Sequence, residues 1–301
     1  MRVAAIDCGT NAIRLLIADV TGDELTDVAR RMEIVRLGEG VDRTGLLAPA
    51  AIERTRQALL GYAAEIAELG VSRVRMCATS ASRDASNAQD FRDMVRGVLG
   101  VDPEVITGEE EAQLSFLGAV QGLDADGPYL VYDLGGGSTE FVTGTATVER
   151  AISMDIGCVR MTERHLHSDP PTWAEIAAAR ADITAAVDTA LAAVSGHSAK
   201  TLVGLAGTVT TVAALAHDLE VYDSQRIHHS RVESADVSRL AQELLKMTVA
   251  DRRALPVMHP GRADVIGAGA LIMQIIQERS GHAFVIASEH DILDGIAFGL
   301  A

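Results

Sequence analysis

Two stretches of this sequence place an aspartate at the end of an apolar run and follow it with glycine. Val3-Ala-Ala-Ile6 leads into Asp7-Cys-Gly-Thr-Asn11 and then Leu15-Leu-Ile-Ala18. Tyr129-Leu-Val-Tyr132 leads into Asp133-Leu-Gly-Gly-Gly-Ser-Thr139 and then Phe141-Val142. A glycine-rich turn lets backbone N–H groups approach a phosphate with no Cβ in the way. The aspartate cannot help bind a bare phosphate, because both are anionic. It makes sense as a holder of Mg²⁺, often through water, with the metal bridging to phosphate oxygens. One such turn reads as readily as a hairpin with an acidic turn residue. Two turns with the acid at the same place favour the chemical reading and suggest two related halves.

Thr107-Gly-Glu-Glu-Glu-Ala112 is the next candidate. Acids in a first helical turn stabilise the positive end of the helix dipole, and Thr107 with Glu110 has the spacing of a capping box. Glu111 differs, because on a helix it shares a face with Leu114, Ser115 and Gly118, beside the apolar Leu114 and Leu117. A carboxylate there is costly unless it faces a cleft or a partner. Partial desolvation would raise its pKa, which suits a general base; a structural acid remains the other reading. Ala78-Thr-Ser-Ala-Ser-Arg-Asp-Ala-Ser-Asn87 crowds hydroxyls around Arg83 after an apolar run, as ligand-binding loops at strand ends do. It reads equally as a helix cap with a solvated arginine. Val203-Gly-Leu-Ala-Gly-Thr208 runs a strand into a helix through two glycines, where an N-terminus would receive an anion or the glycines would allow tight packing. His228-His229 with Asp223 lacks metal spacing and reads as loop.

The elements that must carry these residues alternate. Helical spacing is expected over 50–69, 86–99, 109–120, 173–194, 208–219 and 264–278, with Ser288 capping a last helix. Strands are expected at 74–78, 105–106, 202–205 and 283–286, besides the two Asp-Gly hairpins. That alternation predicts an α/β fold with mixed sheets, and the turn-rich 122–127 segment reads as a connector between halves. The 301 residues are 48% hydrophobic and 3% aromatic, so a sizeable core must be built from Ala, Val, Leu and Ile. The net charge of −16 argues against a nucleic-acid polymer or a membrane surface as partner. Any attraction to an anionic substrate must then be local. Of 26 basic residues only Lys200 and Lys246 are lysine, a bias that base composition explains as well as phosphate binding does. Cys8, Cys77 and Cys158 are odd in number and widely spaced, as reduced cytoplasmic thiols would be. Asp7 interrupts the apolar start too early for a signal peptide. The longest uncharged run, 201–216, is shorter than the roughly 20 residues a membrane span needs.

Four motifs together, Asp7 to Asn11, Ala78 to Arg83, Gly108 to Ala112 and Asp133 to Glu140, give the chain its resemblance to the exopolyphosphatase / guanosine pentaphosphate phosphohydrolase (Ppx/GppA) family. Weaker matches at Gly204 to Thr208, Pro260 to Asp264 and Ser288 to Gly295 extend the resemblance over nearly the whole chain. It implies two ribonuclease-H-like domains of the actin / sugar-kinase / acetate-kinase superfold around a cleft. The domains would span 1–123, joined by the C-terminal helix 290–301, and 124–289. By resemblance Glu111 is the base that activates water, and Asp133 and Glu140 place magnesium and that water. Asp7, Asn11 and Arg14 belong to the first phosphate loop, and Gly135, Gly136, Gly137 and Ser138 form the second. Arg83 holds the phosphate chain, with Gly207 and Thr208 as further phosphate contacts. The implied ion is Mg²⁺, with Mn²⁺ and a monovalent cation such as K⁺ as further ions to test. The implied substrate is inorganic polyphosphate or guanosine penta- or tetraphosphate, and a homodimer is expected by analogy.

The chain departs from the family pattern in two places. Thr10-Asn11-Ala12 stands where Ser-Asn-Ser is usual, so one hydroxyl donor is lost. Leu293-Asp294-Gly295 stands where Arg-Glu-Gly is usual; a base is lost and an acid stands, which would alter chain-length preference. Helical domains that longer members add are not expected. Three rivals to polyphosphate hydrolysis follow: guanosine pentaphosphate hydrolysis at the same site, a non-catalytic polyphosphate or alarmone sensor, and a kinase of the same superfold. Glu111, Asp133 and Glu140 speak against the sensor, and no acceptor site speaks for the kinase.

Overall fold

The computed structural model describes residues 1–22 and 24–300. The chain begins with strands β1 (Arg2–Cys8), β2 (Ala12–Thr21) and β3 (Glu24–Ile34), then helices α1 (Val41–Thr44) and α2 (Pro49–Glu68). Strand β4 (Arg73–Ala78), helices α3 (Ser80–Asp84) and α4 (Ala88–Leu99), strand β5 (Glu104–Val105) and helix α5 (Gly108–Val120) follow. A second series opens with strands β6 (Tyr129–Leu134), β7 (Thr139–Gly144) and β8 (Val148–Met154), then helices α6 (Cys158–His165) and α7 (Trp173–Val194). It continues through β9 (Thr201–Leu205), α8 (Ala206–Ala216), α9 (Ser224–Ile227), β10 (Arg231–Glu233), α10 (Ser234–Lys246), α11 (Val249–Arg253), α12 (Ile266–Ser280) and β11 (Phe284–Ala287). The last element is helix α13 (Ile292–Phe298).

The chain divides into two compact units: Met1–Gly118 with the C-terminal segment from Ile292, and Ala119–Asp291. The first holds a sheet of order β3-β2-β1-β4-β5, the second one of order β10-β11-β9-β6-β7-β8. In each, the first three strands are antiparallel neighbours; β4 and β5 then lie parallel to β1, and β9 and β11 parallel to β6. The order β8-β7-β6-β9-β11 therefore repeats β3-β2-β1-β4-β5, with β10 added at one edge. This shared topology underlies the two similar Asp-Gly hairpins.

In the first unit β1 is buried on both faces. Ala4, Ile6 and Cys8 pack with Ile13, Leu15 and Ile17 against Leu59, Tyr62, Phe91 and Val95 of α2 and α4. Val3 and Ala5 point the other way, with Leu16 and Ala18, against Ile292, Leu293, Ile296 and Ala297 of α13. The two-residue period of a strand makes this division, and each large aliphatic side chain so buried contributes about 1.5–3 kcal/mol. Two further contacts fix α13. Asp294 is buried and its Oδ1 accepts from Arg30 Nη2 of β3 at 2.7 Å. Burial works against the charge of Arg30, but the carboxylates of Asp294 and Asp27 outweigh it and hold the guanidinium above its ordinary pKa. Gly295 lies against α5, where a Cβ would come 2.1 Å from the Leu114 carbonyl oxygen. In the second unit α7, α8, α10 and α12 pack on β6, β7 and β9. Helix α12 is buried nearly all round from Ile266 to Gln277, as an apolar, aromatic-poor helix must be.

Several elements differ from expectation. Strands β3 and β8 are not assigned from the sequence, because β3 is largely exposed and shows little apolar alternation, and β8 is only half-buried. The helical spacing of Val237, Leu240, Ala241, Leu244 and Leu245 is plain, yet no helix is assigned there from it; α10 occupies it. Ser288 does not cap the last helix, which starts at Ile292. Its hydroxyl instead donates to the His290 carbonyl and accepts from the His290 N–H, closing a tight turn.

Candidate functional site

In the first unit the Asp7 turn closes with Gly9 N–H donating to the Ala12 carbonyl at 3.0 Å. Strand pairing sets Asp7 opposite Arg14, and Arg14 Nη2 and Nε donate to Asp7 Oδ2 at 2.7 and 3.1 Å. The expected metal carboxylate Asp7 thus carries its own counter-charge. The N–H groups of Thr10 and Asn11 have no hydrogen-bond partner among the described residues. The same holds for the buried Thr10 Oγ1 and Asn11 Oδ1, so polar groups of this loop await something that supplies donors and acceptors.

Glu111 lies in the first turn of α5, in line with the buried Ser115, and is only 8% exposed. The capping box resolves the acidic run. Glu110 N–H donates to Thr107 Oγ1 and Glu110 Oε2 accepts from Thr107 N–H, at 3.1 and 2.9 Å. Glu110 therefore closes the helix end. Leu117, expected beside it, is 47% exposed. Arg83, in the last turn of α3, donates through Nη1 to the Ile106 carbonyl at 2.9 Å and to Glu111 Oε2 at 3.3 Å. Its Nε and Nη2 have no hydrogen-bond partner among the described residues. One side of the guanidinium thus steadies Glu111, and the other presents the two-donor edge that matches phosphate oxygens.

In the second unit Gly135 N–H donates to the Ser138 carbonyl at 3.1 Å, the counterpart of the Gly9 contact. The N–H groups of Gly136, Gly137 and Ser138 have no hydrogen-bond partner among the described residues. Successive free amides of this kind make an anion-binding concavity. Asp133 and Glu140 are both buried and stand directly opposite in the β6–β7 register. Glu140 Oε1 accepts from Ser138 Oγ at 2.6 Å and from Ser153 Oγ at 2.7 Å. Thr208 and Gly207 lie in the first turn of α8, with Arg262 Nη1 donating to the Gly207 carbonyl at 3.3 Å. Ala206, the first residue of α8, has φ 71, a left-handed conformation that costs a non-glycine residue.

Two side chains that touch the second loop are given no part by the sequence. Ser153 sits on the unassigned β8. Arg160 Nε donates to the Gly137 carbonyl at 2.7 Å from the unassigned α6; the glycine-led segment Gly157-Cys-Val-Arg160 was the available signal. His228 stacks on His229, with ring centroids 3.7 Å apart, and Asp223 caps α9. Among the described residues no group of three or more His, Cys, Asp or Glu is placed to hold a metal ion by itself, and no helix is long and apolar enough to cross a membrane.

The profile of the Ppx/GppA phosphatase family matches residues 16–299. The chain belongs to this family. It is 54% identical to Exopolyphosphatase 2 of Mycobacterium tuberculosis, with 100% of this chain and 98% of that protein covered. Among solved members, an exopolyphosphatase-like protein superposes with a TM-score of 0.96 at 43% identity, covering 100% of this chain and 98% of that one. The Aquifex aeolicus Ppx/GppA enzyme superposes with a TM-score of 0.84 at 34% identity, covering 99% of each chain. The repeated β8-β7-β6-β9-β11 and β3-β2-β1-β4-β5 topology is that of the actin-like ATPase superfold to which these Ppx/GppA structures belong.

Proposed function

We propose that this Ppx/GppA protein is a cytoplasmic exopolyphosphatase, which hydrolyses the terminal phosphoanhydride bond of inorganic polyphosphate with Mg²⁺ and releases orthophosphate. The observation that carries the reading is Glu111: a buried carboxylate in the first turn of α5, steadied by Arg83. The full-length identity to a protein named an exopolyphosphatase supports polyphosphate as the substrate.

The donor set fits magnesium. Mg²⁺ takes one or two carboxylates and completes its shell with water and substrate phosphate, so three clustered protein ligands are not required. Asp133 and Glu140 provide two carboxylates opposite one another, an arrangement that repels itself unless a cation lies near. Asp7 already holds Arg14, so its part is to fix that arginine in the first loop. When bound, magnesium neutralises phosphate charge and supports departure of the shortened chain.

The chain's own residues do the rest. The free amides of Gly136, Gly137 and Ser138 and those of Thr10 and Asn11 bind phosphate oxygens. The open edge of Arg83 holds the chain. Glu111 takes a proton from water, whose oxygen forms a bond to the terminal phosphorus. The bridging P–O bond breaks, and its electron pair leaves with the shortened polyphosphate. The local donors account for binding of a polyanion by a chain of net charge −16.

The test is phosphate release from short and long polyphosphate and from guanosine pentaphosphate, each with and without Mg²⁺. Metal-dependent release from polyphosphate is expected. Release from the nucleotide alone would assign the site to nucleotide hydrolysis, and binding without release would make the protein a sensor.

A further inference from the structure

The phosphate loop of the second unit is held by its carbonyls. Gly135, Gly136 and Gly137 each carry a C=O that would repel phosphate if it faced the site. All three are occupied from one side. Cys158 N–H donates to the Gly135 carbonyl at 3.0 Å, and Val159 and Arg160 N–H donate to the Gly136 carbonyl at 2.9 and 3.1 Å. Arg160 Nε takes the Gly137 carbonyl at 2.7 Å. The donors all come from the segment that follows β8 and opens α6. Thr139 Oγ1 ties the same segment down by donating to the Ile156 carbonyl. The approach is so close that a Cβ on Gly157 would meet the Gly136 carbonyl oxygen at 2.2 Å. A peptide plane whose carbonyl is held on one side directs its N–H to the other. The clamp therefore sets the direction of the amides of Gly136, Gly137 and Ser138.

The first unit repeats the device with other residues. The segment after β3 donates from Gly38 N–H to the Thr10 carbonyl at 2.9 Å, and from Val35 and Arg36 N–H to the Asn11 carbonyl at 3.1 and 2.9 Å. Here too a glycine makes the approach, since a Cβ on Gly38 would meet Thr10 Cγ2 at 2.3 Å. In both units the turn between the first and second strands is clamped by the segment after the third. The second unit adds a charged side chain, that of Arg160.

We infer that the segment following the third strand of each unit is a carbonyl clamp that aims the phosphate-loop amides, with Arg160 as a positioning residue for the Gly135–Ser138 loop. The phosphate-binding part of this inference rests on the hydrolase reading above; the clamp itself does not. Arg160 also lies near the exposed Asp155, with Nη2 at 3.7 Å from its carboxylate.

The experiment compares the full-length protein with Arg160→Ala, Arg160→Lys and Gly157→Ala. Amide resonances of ¹⁵N-labelled glycine and serine are recorded first without ligand and then with tripolyphosphate. In the ligand-free state Arg160→Ala and Gly157→Ala are expected to move the resonances of Gly136, Gly137 and Ser138 while other glycines of the second unit stay in place. Unmoved loop resonances overturn the clamp, whatever the protein hydrolyses. Loss of a charge-assisted hydrogen bond predicts a KM for tripolyphosphate raised about tenfold to a hundredfold in Arg160→Ala. Partial recovery is expected in Arg160→Lys, with melting temperatures unchanged. A lower melting temperature with unchanged KM makes Arg160 a helix anchor and overturns its positioning role. A wild-type protein whose loop amides respond to tripolyphosphate but which releases no phosphate from it once Mg²⁺ is added refutes the hydrolase reading and leaves the clamp standing.

Discussion

Asp133 and Glu140 face each other across the β6–β7 hairpin at the place where the first unit sets Arg14 opposite Asp7. Each pair joins the last residues of the first strand to the second strand of its unit. In the first unit the charges cancel within the protein, at 2.7 Å. In the second both members of the pair are acids. Two buried carboxylates so placed favour a cation or a proton between them, which is why the proposed magnesium is put at the second loop and not the first.

Glu140→Gln tests this assignment by stability rather than turnover. Ligand that binds only the folded state raises the melting temperature, so the wild type is expected to melt higher with Mg²⁺ than without. In Glu140→Gln that increment should disappear, while the metal-free protein gains on the order of 1 kcal/mol from relief of like-charge repulsion. Thermal melts with and without Mg²⁺ decide it, and a full magnesium increment in the variant contradicts the assignment.

Arg30 and Asp294 are expected to stabilise the first unit strongly. Asp294→Asn removes the counter-charge of a guanidinium held between β3 and α13. The cost expected is about 3 kcal/mol, the lower end for breaking a buried pair, because Arg30 keeps some solvent contact. Urea unfolding of the variant measures it. A loss below about 1 kcal/mol would place the pair with ordinary surface ion pairs.

The cysteines give the pH dependence a sign. Burial raises the Cys8 thiol pKa well above its ordinary value and pushes Cys77 to about 12 and Cys158 to about 11. A thiol whose folded pKa lies above the unfolded value near 8.5 favours the folded state fully below that pH. Its contribution declines as pH rises through the folded values. Stability should hold from neutrality to about pH 8.5 and then fall toward pH 11–12. Tyr62 and Tyr132, also raised by burial, act in the same direction. The native protein should resist iodoacetamide at pH 8 and react at all three thiols once unfolded. Rapid native labelling would contradict it.

Ala206→Gly is expected to raise stability by about 1 kcal/mol, since glycine adopts the left-handed conformation at φ 71 without the cost a Cβ imposes. Chemical denaturation checks the sign. A destabilised variant would mean that the Ala206 methyl contributes packing that exceeds the strain.

The local geometry of the candidate residues was more legible in the sequence than the contacts that support it. Both Asp-Gly turns, the capping role of Glu110 and the inward face of Glu111 follow from spacing within one or two helical turns, and the structure has all three. Helix 173–194 was readable to its ends, because an Ala-rich run without Gly or Pro has little choice. Contacts between distant segments were not readable. Arg30 and Asp294 are 264 positions apart, and nothing local marks them as partners. Strand β3 alternates little because one sheet edge is largely exposed and carries charges instead. Without β3 and β8 the segments that follow them have no address, so the carbonyl clamps and Arg160 stayed hidden. The counter-charge of Asp7 was hidden for a related reason: strand register, not sequence spacing, brings Arg14 to it.

In the proposed mechanism Glu111 takes the proton from the attacking water. Glu111→Gln keeps the shape of the side chain and its acceptor toward Arg83 but removes the base. Phosphate release from polyphosphate in the presence of Mg²⁺, measured beside equilibrium binding of the same polyphosphate, tests this directly. The expected result is release lowered by about a hundredfold or more with binding close to that of the wild type. A variant that still releases phosphate at near wild-type rate would contradict the account.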